Sequence, residues 1–167
     1  IKEERLLALE IMSQFSKMDR FLNVLSEMVQ DPDDDVRYLA ANKLAPYIQT
    51  KDIFLLFVAL LQDSVDRIRH LAIHTLAKSD NPEIIQPFFE RMSQEPEEIQ
   101  NVIITALGQL SQQAEEPIII RILPVLADES ADNRKIAAKL LAQMPNKKAI
   151  VRRFLTYTRG VAFWLRD

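Results

Sequence analysis

Asp31-Pro32-Asp33-Asp34-Asp35-Val36-Arg37-Tyr38-Leu39-Ala40-Ala41-Asn42-Lys43-Leu44-Ala45-Pro46 is the stretch that decides the fold. Val36, Leu39, Ala40 and Leu44 recur at helical spacing and mark one buried stripe. Carboxylates crowd the start of that helix, where they cap amides and meet the positive end of its dipole. Pro46 should end it, because the residue before a proline avoids the helical region. The same frame returns at Arg67-Ile68-Arg69-His70-Leu71-Ala72-Ile73, at Glu98-Ile99-Gln100-Asn101-Val102-Ile103-Ile104 and at Asp132-Asn133-Arg134-Lys135-Ile136-Ala137-Ala138. Glu4-Arg5-Leu6-Leu7-Ala8-Leu9 fits it upstream, so the period is about 32 residues. Leu44, Leu76, Leu107 and Leu141 fill one column, and a small residue follows each: Ala45, Ala77, Gly108 and Ala142.

A second amphipathic stretch precedes each copy: Arg20–Val29, Asp52–Leu61, Pro82–Met92, Pro117–Ala127 and Lys148–Tyr157. Pro82 and Pro117 suit a first helical turn, where a missing N–H costs nothing. Pro145 should close a second helix as Pro46 does, while Pro87 and Pro124 fall inside first helices and should bend them. The chain has only two glycines, Gly108 and Gly160, too few for the turns of a strand-rich fold. The pattern predicts a short helix, a tight turn and a second short helix, repeated, with neighbours stacking because no pair can bury its stripe alone.

These residues resemble HEAT repeats, particularly the short bacterial HEAT-like kind, in which an Asp in the turn precedes an Arg of the second helix by six residues. Asp31 and Arg37, Asp63 and Arg69, and Asp128 and Arg134 carry that spacing. Arg5 fits the Arg column, while Gln94 and Gln100 stand in both places of the third repeat, where only a weaker, neutral bond is expected. The resemblance implies an all-α, right-handed α–α superhelix (a solenoid) of about five stacked helix pairs with incomplete ends. It implies a single array over residues 1–167, with repeats at 19–49, 51–79, 82–113 and 116–144 and partial ones at 1–17 and 147–167. Each Asp should accept the first amides of the second helix, and each Arg should bridge its own Asp and the next repeat's turn. The chain opens within a second helix, near Glu3–Lys17, and closes within another, Val161–Leu165, so it is expected to be a piece of a longer protein.

The repeat names a fold more sharply than a task. Positions one and five past the Arg column point away from the stripe: Leu6 and Glu10, Tyr38 and Asn42, His70 and His74, Asn101 and Thr105, Lys135 and Lys139. A protein or peptide is expected to bind along this row, with an acidic portion near Lys135 and Lys139, making the chain a non-catalytic scaffold. Charge is lopsided, since residues 1–132 hold 12 Lys+Arg against 23 Asp+Glu, and residues 133–167 hold 9 against one. Lys147, Lys148, Arg152 and Arg153 form a basic helical face suited to anions, or to neutralising the acidic body.

The same residues bear on other chemistries. His70 and His74 are spaced to share a metal, with Asp63 and Asp66 as further ligands, yet the chain lacks the His-Glu dipeptides of iron-binding HEAT-like hydroxylases. Asp31 to Asp35 have the composition of a calcium loop but not its glycine or closing glutamate, and capping accounts for them. HEAT-like DNA glycosylases use a cationic surface with aromatics and a carboxylate. Trp164 and Asp167 sit three apart here, but the acidic remainder would repel a duplex. A HEAT-like bilin lyase or its accessory subunit is the remaining alternative, supported by the repeat alone. No nucleophile–base set or phosphate loop stands out, so no cofactor and no metal are expected. Cysteine is absent and no apolar run is long enough to span a bilayer, which favours a cytoplasmic setting.

Overall fold

A computed structural model describes residues 2–7, 18–79, 81–112 and 115–164, and the side chains of all these except 18–20, 115 and 157–164. Helix α1 covers residues 2–7, α2 Met18–Met28, α3 Asp34–Leu44, α4 Lys51–Leu60 and α5 Asp66–Leu76. The second half holds α6 Ile85–Met92, α7 Glu97–Leu110, α8 Glu115–Val125, α9 Ala131–Gln143 and α10 Lys147–Trp164. Among the described residues there is no strand, and no helix is long and apolar enough to cross a membrane. The fold is all-α, in paired helices of the HEAT-like kind.

Contacts divide the chain into two compact units, Ile1–Ser79 and Asp80–Asp167. In the first, α2 packs on α3, α4 on α5, and α3 on α5. In the second, α6 packs on α7, α8 on α9, α7 on α9, and α10 on α8. Within each unit the first helices therefore lie on their own second helices, and the two second helices, α3 with α5 and α7 with α9, lie on each other. Leu25, Val36, Ala40, Leu44, Phe57, Ile68 and Leu76 centre the core of the first unit. Phe88, Ile103, Leu107, Ile118, Ile122, Ala137 and Leu140 centre that of the second.

The prolines behave according to position. Pro82 opens a 3-10 turn, Pro82–Ile84, with Asn81 capping it through the Glu83 amide. Pro87 does not bend a helix from within. The α-helix restarts at Ile85, placing Pro87 in its first turn, where its lack of an N–H is harmless. Pro124 lies in the last turn of α8. Pro46 falls in a 3-10 turn after α3, and Met144, just before Pro145, is extended and ends α9. The closing segment departs from the expectation of a turn and a new helix at Val161. α10 runs unbroken from Lys147 to Trp164. Nothing between Tyr157 and Val161 can stop it except Gly160, and one internal glycine costs a helix only about 1 kcal/mol. The side chains of Phe163 and Trp164, together with Glu10 and Asp167, lie outside the described residues.

Candidate functional site

The turn carboxylates set the local geometry. Asp31, Asp63 and Asp128 each accept the backbone amide two residues on, from Asp33, Val65 and Ser130 at 2.9, 2.9 and 2.8 Å. The amides they take thus belong to the turn, and the helix itself is capped by others: Asp33 on Asp35 and Val36, Ser130 on Asn133.

The arginine column links repeats in a direction different from its spacing. Arg37 gives Nη1 to the carbonyls of Asp31 and Pro32 in its own turn, at 2.9 and 3.2 Å. Its other edge forks onto the carboxylate of the next repeat: Nε to Asp63 Oδ2 at 2.8 Å and Nη2 to Oδ1 at 3.0 Å. Arg5 reaches Asp31 from the same column, with Nη2 donating to Oδ1 at 3.0 Å, while its Nε lies 2.9 Å from Oδ2 without forming a hydrogen bond. The carboxylate partner of Arg5 and of Arg37 is therefore 26 residues ahead, not six behind. Arg69 repeats the bond to its own turn, through the Asp63 carbonyl, and adds Asp66 at 2.6 Å. Arg134 does so through the carbonyls of Asp128 and Glu129. Burial alone would raise the Asp63 carboxyl, but Arg37 and the Val65 amide outweigh it and hold it below its ordinary range.

The third repeat is not the weak point its glutamines suggested. Gln100 Nε2 still donates to the turn, to the Glu95 carbonyl at 2.9 Å. The charge comes instead from the first helix: Arg91 Nε donates to Glu95 Oε1 at 2.5 Å, and that carboxylate is fully buried. The signal was present as an Arg and a Glu four apart across the end of α6.

On the row past the Arg column, no described side chain joins the core. In the first unit Tyr38 and His70 are half-buried, and Asn42 and His74 exposed. The guanidinium of Arg67 lies 5.2 Å from the Tyr38 ring centre, so one aromatic face is already covered. Arg67 also bonds Asp34, at 2.8 Å, and Asp35, while Lys2 holds Asp35 from α1. Lys2 first and Arg67 second lower the Asp35 carboxyl to about 2. In the second unit Asn101, Thr105 and Lys135 are exposed and Lys139 half-buried. Glu97 takes Lys139 Nζ at 2.7 Å and stands 4.0 Å from Lys135 Nζ, so the two lysines expected to face a partner's acids already face one. Lys139, and to a lesser degree Lys135, hold the Glu97 carboxyl below its usual range. These cross-helix pairs were missed, though opposite charges in one column of successive repeats (Asp35 and Arg67) could have revealed one.

The basic face of α10 is partly committed. Lys147 Nζ caps the end of α9 through the carbonyls of Leu141 and Ala142, at 3.0 and 2.6 Å. Arg153 pairs with Glu116 of α8, leaving Lys148 and Arg152 as the exposed cations beside Val151. Among the described residues, the group of three carboxylates or imidazoles close enough to share a metal is Asp33, Asp34 and Asp35, bound by Lys2 and Arg67. His70 and His74 are not in it, and their suggested companions Asp63 and Asp66 serve Arg37 and Arg69.

Residues 21–108, slightly more than half of the chain, match the family of HEAT repeats. Among curated proteins none matches it.

Proposed function

We propose, on the premise that the chain belongs to the HEAT-repeat family, that it is a non-catalytic scaffold that binds a protein partner through its second helices. HEAT repeats generally serve as protein-interaction scaffolds. The observation that carries the reading here is the row itself. Tyr38, Asn42, His70 and His74 in the first unit, and Asn101, Thr105, Lys135 and Lys139 in the second, stay outside the core on helices whose other faces are packed. Their chemistry suits a polypeptide, with an aromatic edge, imidazoles and amides in one unit and amides and ammonium groups in the other. An acidic side chain of the partner would replace Glu97 on Lys139 rather than meet a bare cation. Much of the gain is therefore an exchange of ion pairs, and binding should weaken only modestly with salt.

The test is an affinity capture with the wild type and a Tyr38→Ala/Lys135→Glu/Lys139→Glu variant. These sites lie outside the core, so the variant should keep its stability within about 0.5 kcal/mol per site. Loss of wild-type partners by a normally folded variant supports the row. Recovery of every partner means the scaffold reads its partners elsewhere.

A further inference from the structure

Across their facing second helices the two units balance charge in opposite ways. Between α3 and α5, Arg67 meets two carboxylates, Asp34 and Asp35, and Lys2 takes Asp35 as well. Every charge there is spent. Between α7 and α9, two ammonium groups, Lys135 and Lys139, share the carboxylate of Glu97. Lys139 holds it at 2.7 Å, whereas Lys135 stands 4.0 Å away, beyond hydrogen-bond reach, with its side chain 63% exposed.

These groups line an open cleft of about 230 Å³ between α7 and α9, which Ser93, Gln100 and Asp132 complete. Ser93 and Gln100 are uncharged. Asp132, in the first turn of α9, is exposed and has no hydrogen bond or ion pair among the described residues. The cleft thus holds two positive and two negative groups. The packing of α7 on α9 places Glu97 in it without fixing the side chain, which is 62% exposed. An ion pair so open to water is weak and exchanges readily, unlike the enclosed pair of Arg37 and Asp63.

We propose that this cleft is a subsite for one carboxylate side chain of a peptide partner, and that Glu97 is its resident occupant, replaced by the incoming carboxylate between Lys135 and Lys139. That role presumes the row of second helices as the binding surface and adds the group that its second unit reads. The exchange conserves charge, since one carboxylate leaves the ammonium pair as another arrives. A phosphate monoester carries a charge of about −1.5 to −2 at neutral pH, and its surplus would fall beside Asp132 and the displaced Glu97. The cleft therefore favours a carboxylate. Glu97 competes with it, so removing the Glu97 charge should strengthen binding.

The test is an NMR titration of the isotope-labelled full chain, followed at the amides of α7 and α9. The probes are N-acetylglutamate amide, which carries one carboxylate, and the matching blocked phosphoserine. Saturable millimolar binding of the glutamate probe is expected, with the phosphoserine probe no tighter. Glu97→Gln should tighten the glutamate probe about three-fold, the competition of one surface ion pair. Glu98→Gln removes the same charge from the adjacent exposed position and should leave binding unchanged. Lys139→Gln should abolish it. Glu97 and Glu98 are both exposed, so circular dichroism and the thermal midpoint should not move in either variant. Equal effects of Glu97→Gln and Glu98→Gln overturn the proposal, as does a phosphoserine probe that binds more tightly than glutamate. So does the lack of a saturable shift in both the wild type and Glu97→Gln. Partner capture lost in the Tyr38→Ala/Lys135→Glu/Lys139→Glu variant but unaltered by Glu97→Gln would keep the row and remove this subsite.

Discussion

Replacing Arg37 with alanine removes a fork of two charge-assisted hydrogen bonds to Asp63 and two bonds to the carbonyls of Asp31 and Pro32. The side chains of Arg37 and Asp63 are 14% and 7% exposed, so little water reaches the carboxylate that is left behind. Truncating one partner of a buried pair costs about 3–5 kcal/mol, and the partial access of water here lowers the expectation to about 2–4 kcal/mol. Arg67 provides the control within the same unit. It also meets two carboxylates, Asp34 and Asp35, but is 44% exposed, so Arg67→Ala should move the urea midpoint far less. A double-mutant cycle of Arg37→Ala with Asp63→Ala should return a coupling of about 1–3 kcal/mol. The effect has a pH window. The folded Asp63 carboxyl lies below its ordinary value, so its contribution is whole above about pH 4 and fades as the pH falls through the folded value. Wild type and Arg37→Ala should therefore converge in stability on the acid side. Equal midpoint shifts for Arg37→Ala and Arg67→Ala, or a coupling indistinguishable from zero, would refute the reasoning.

Three further outcomes are expected. Arg91→Ala removes a charged partner of the buried Glu95 carboxylate and should cost about 2–3 kcal/mol in urea, whereas Arg121→Ala on the surface of the same unit should cost far less; equal losses would contradict the buried pair. In an NMR titration the Asp35 carboxyl should titrate at about 2, and Lys2→Ala should raise it more than Arg67→Ala, Lys2 being the stronger influence; the opposite order would misplace α1. Gly108→Ala should raise stability by less than about 1 kcal/mol, seen as a small rise in the urea midpoint, because alanine gains helix propensity while its methyl meets Gln143 Oε1 and Cβ at 3.1 and 3.2 Å. A lower midpoint would mean the end of α9 cannot shift to admit that methyl.

The helices and their buried faces were legible because burial on a helix repeats with a period that a single sequence displays. Leu44, Leu76 and Leu107 were read as one column and are all buried. Leu141, in the same column, is only half-buried, because a column reports the face and not whether a neighbour covers it. The pairing of Asp and Arg was less legible. Each Arg was expected to bridge its own Asp and the next repeat's turn; Arg37 does reach the next turn at Asp63, but in its own turn it bonds the carbonyls of Asp31 and Pro32 and not the Asp31 carboxylate, a choice of atom that spacing leaves open. Glu95 and Glu97 show the same limit. Neither stands out in the sequence, yet one is buried with Arg91 and the other joins α7 to Lys139 of α9. The row past the Arg column was placed outside the core by helical geometry alone, but its charges could be judged only once their cross-helix partners were known. The break expected before Val161 rested on repeat arithmetic without a stop signal in the residues, and α10 passes through it.

The long-range side-chain bonds described above join positions 26 to 42 apart, which is to say one repeat to the next. Nothing in them fastens a repeat to its second neighbour, so under tension each unit can surrender one repeat without first breaking the others. About 32 residues, released at roughly 3.5 Å each and less the 10 Å or so they occupied when packed, give a lengthening on the order of 100 Å per event. Pulled from its ends, either unit should behave as a ratcheted spring that yields in near-equal steps, where a domain tied together across its full length would give way in a single break.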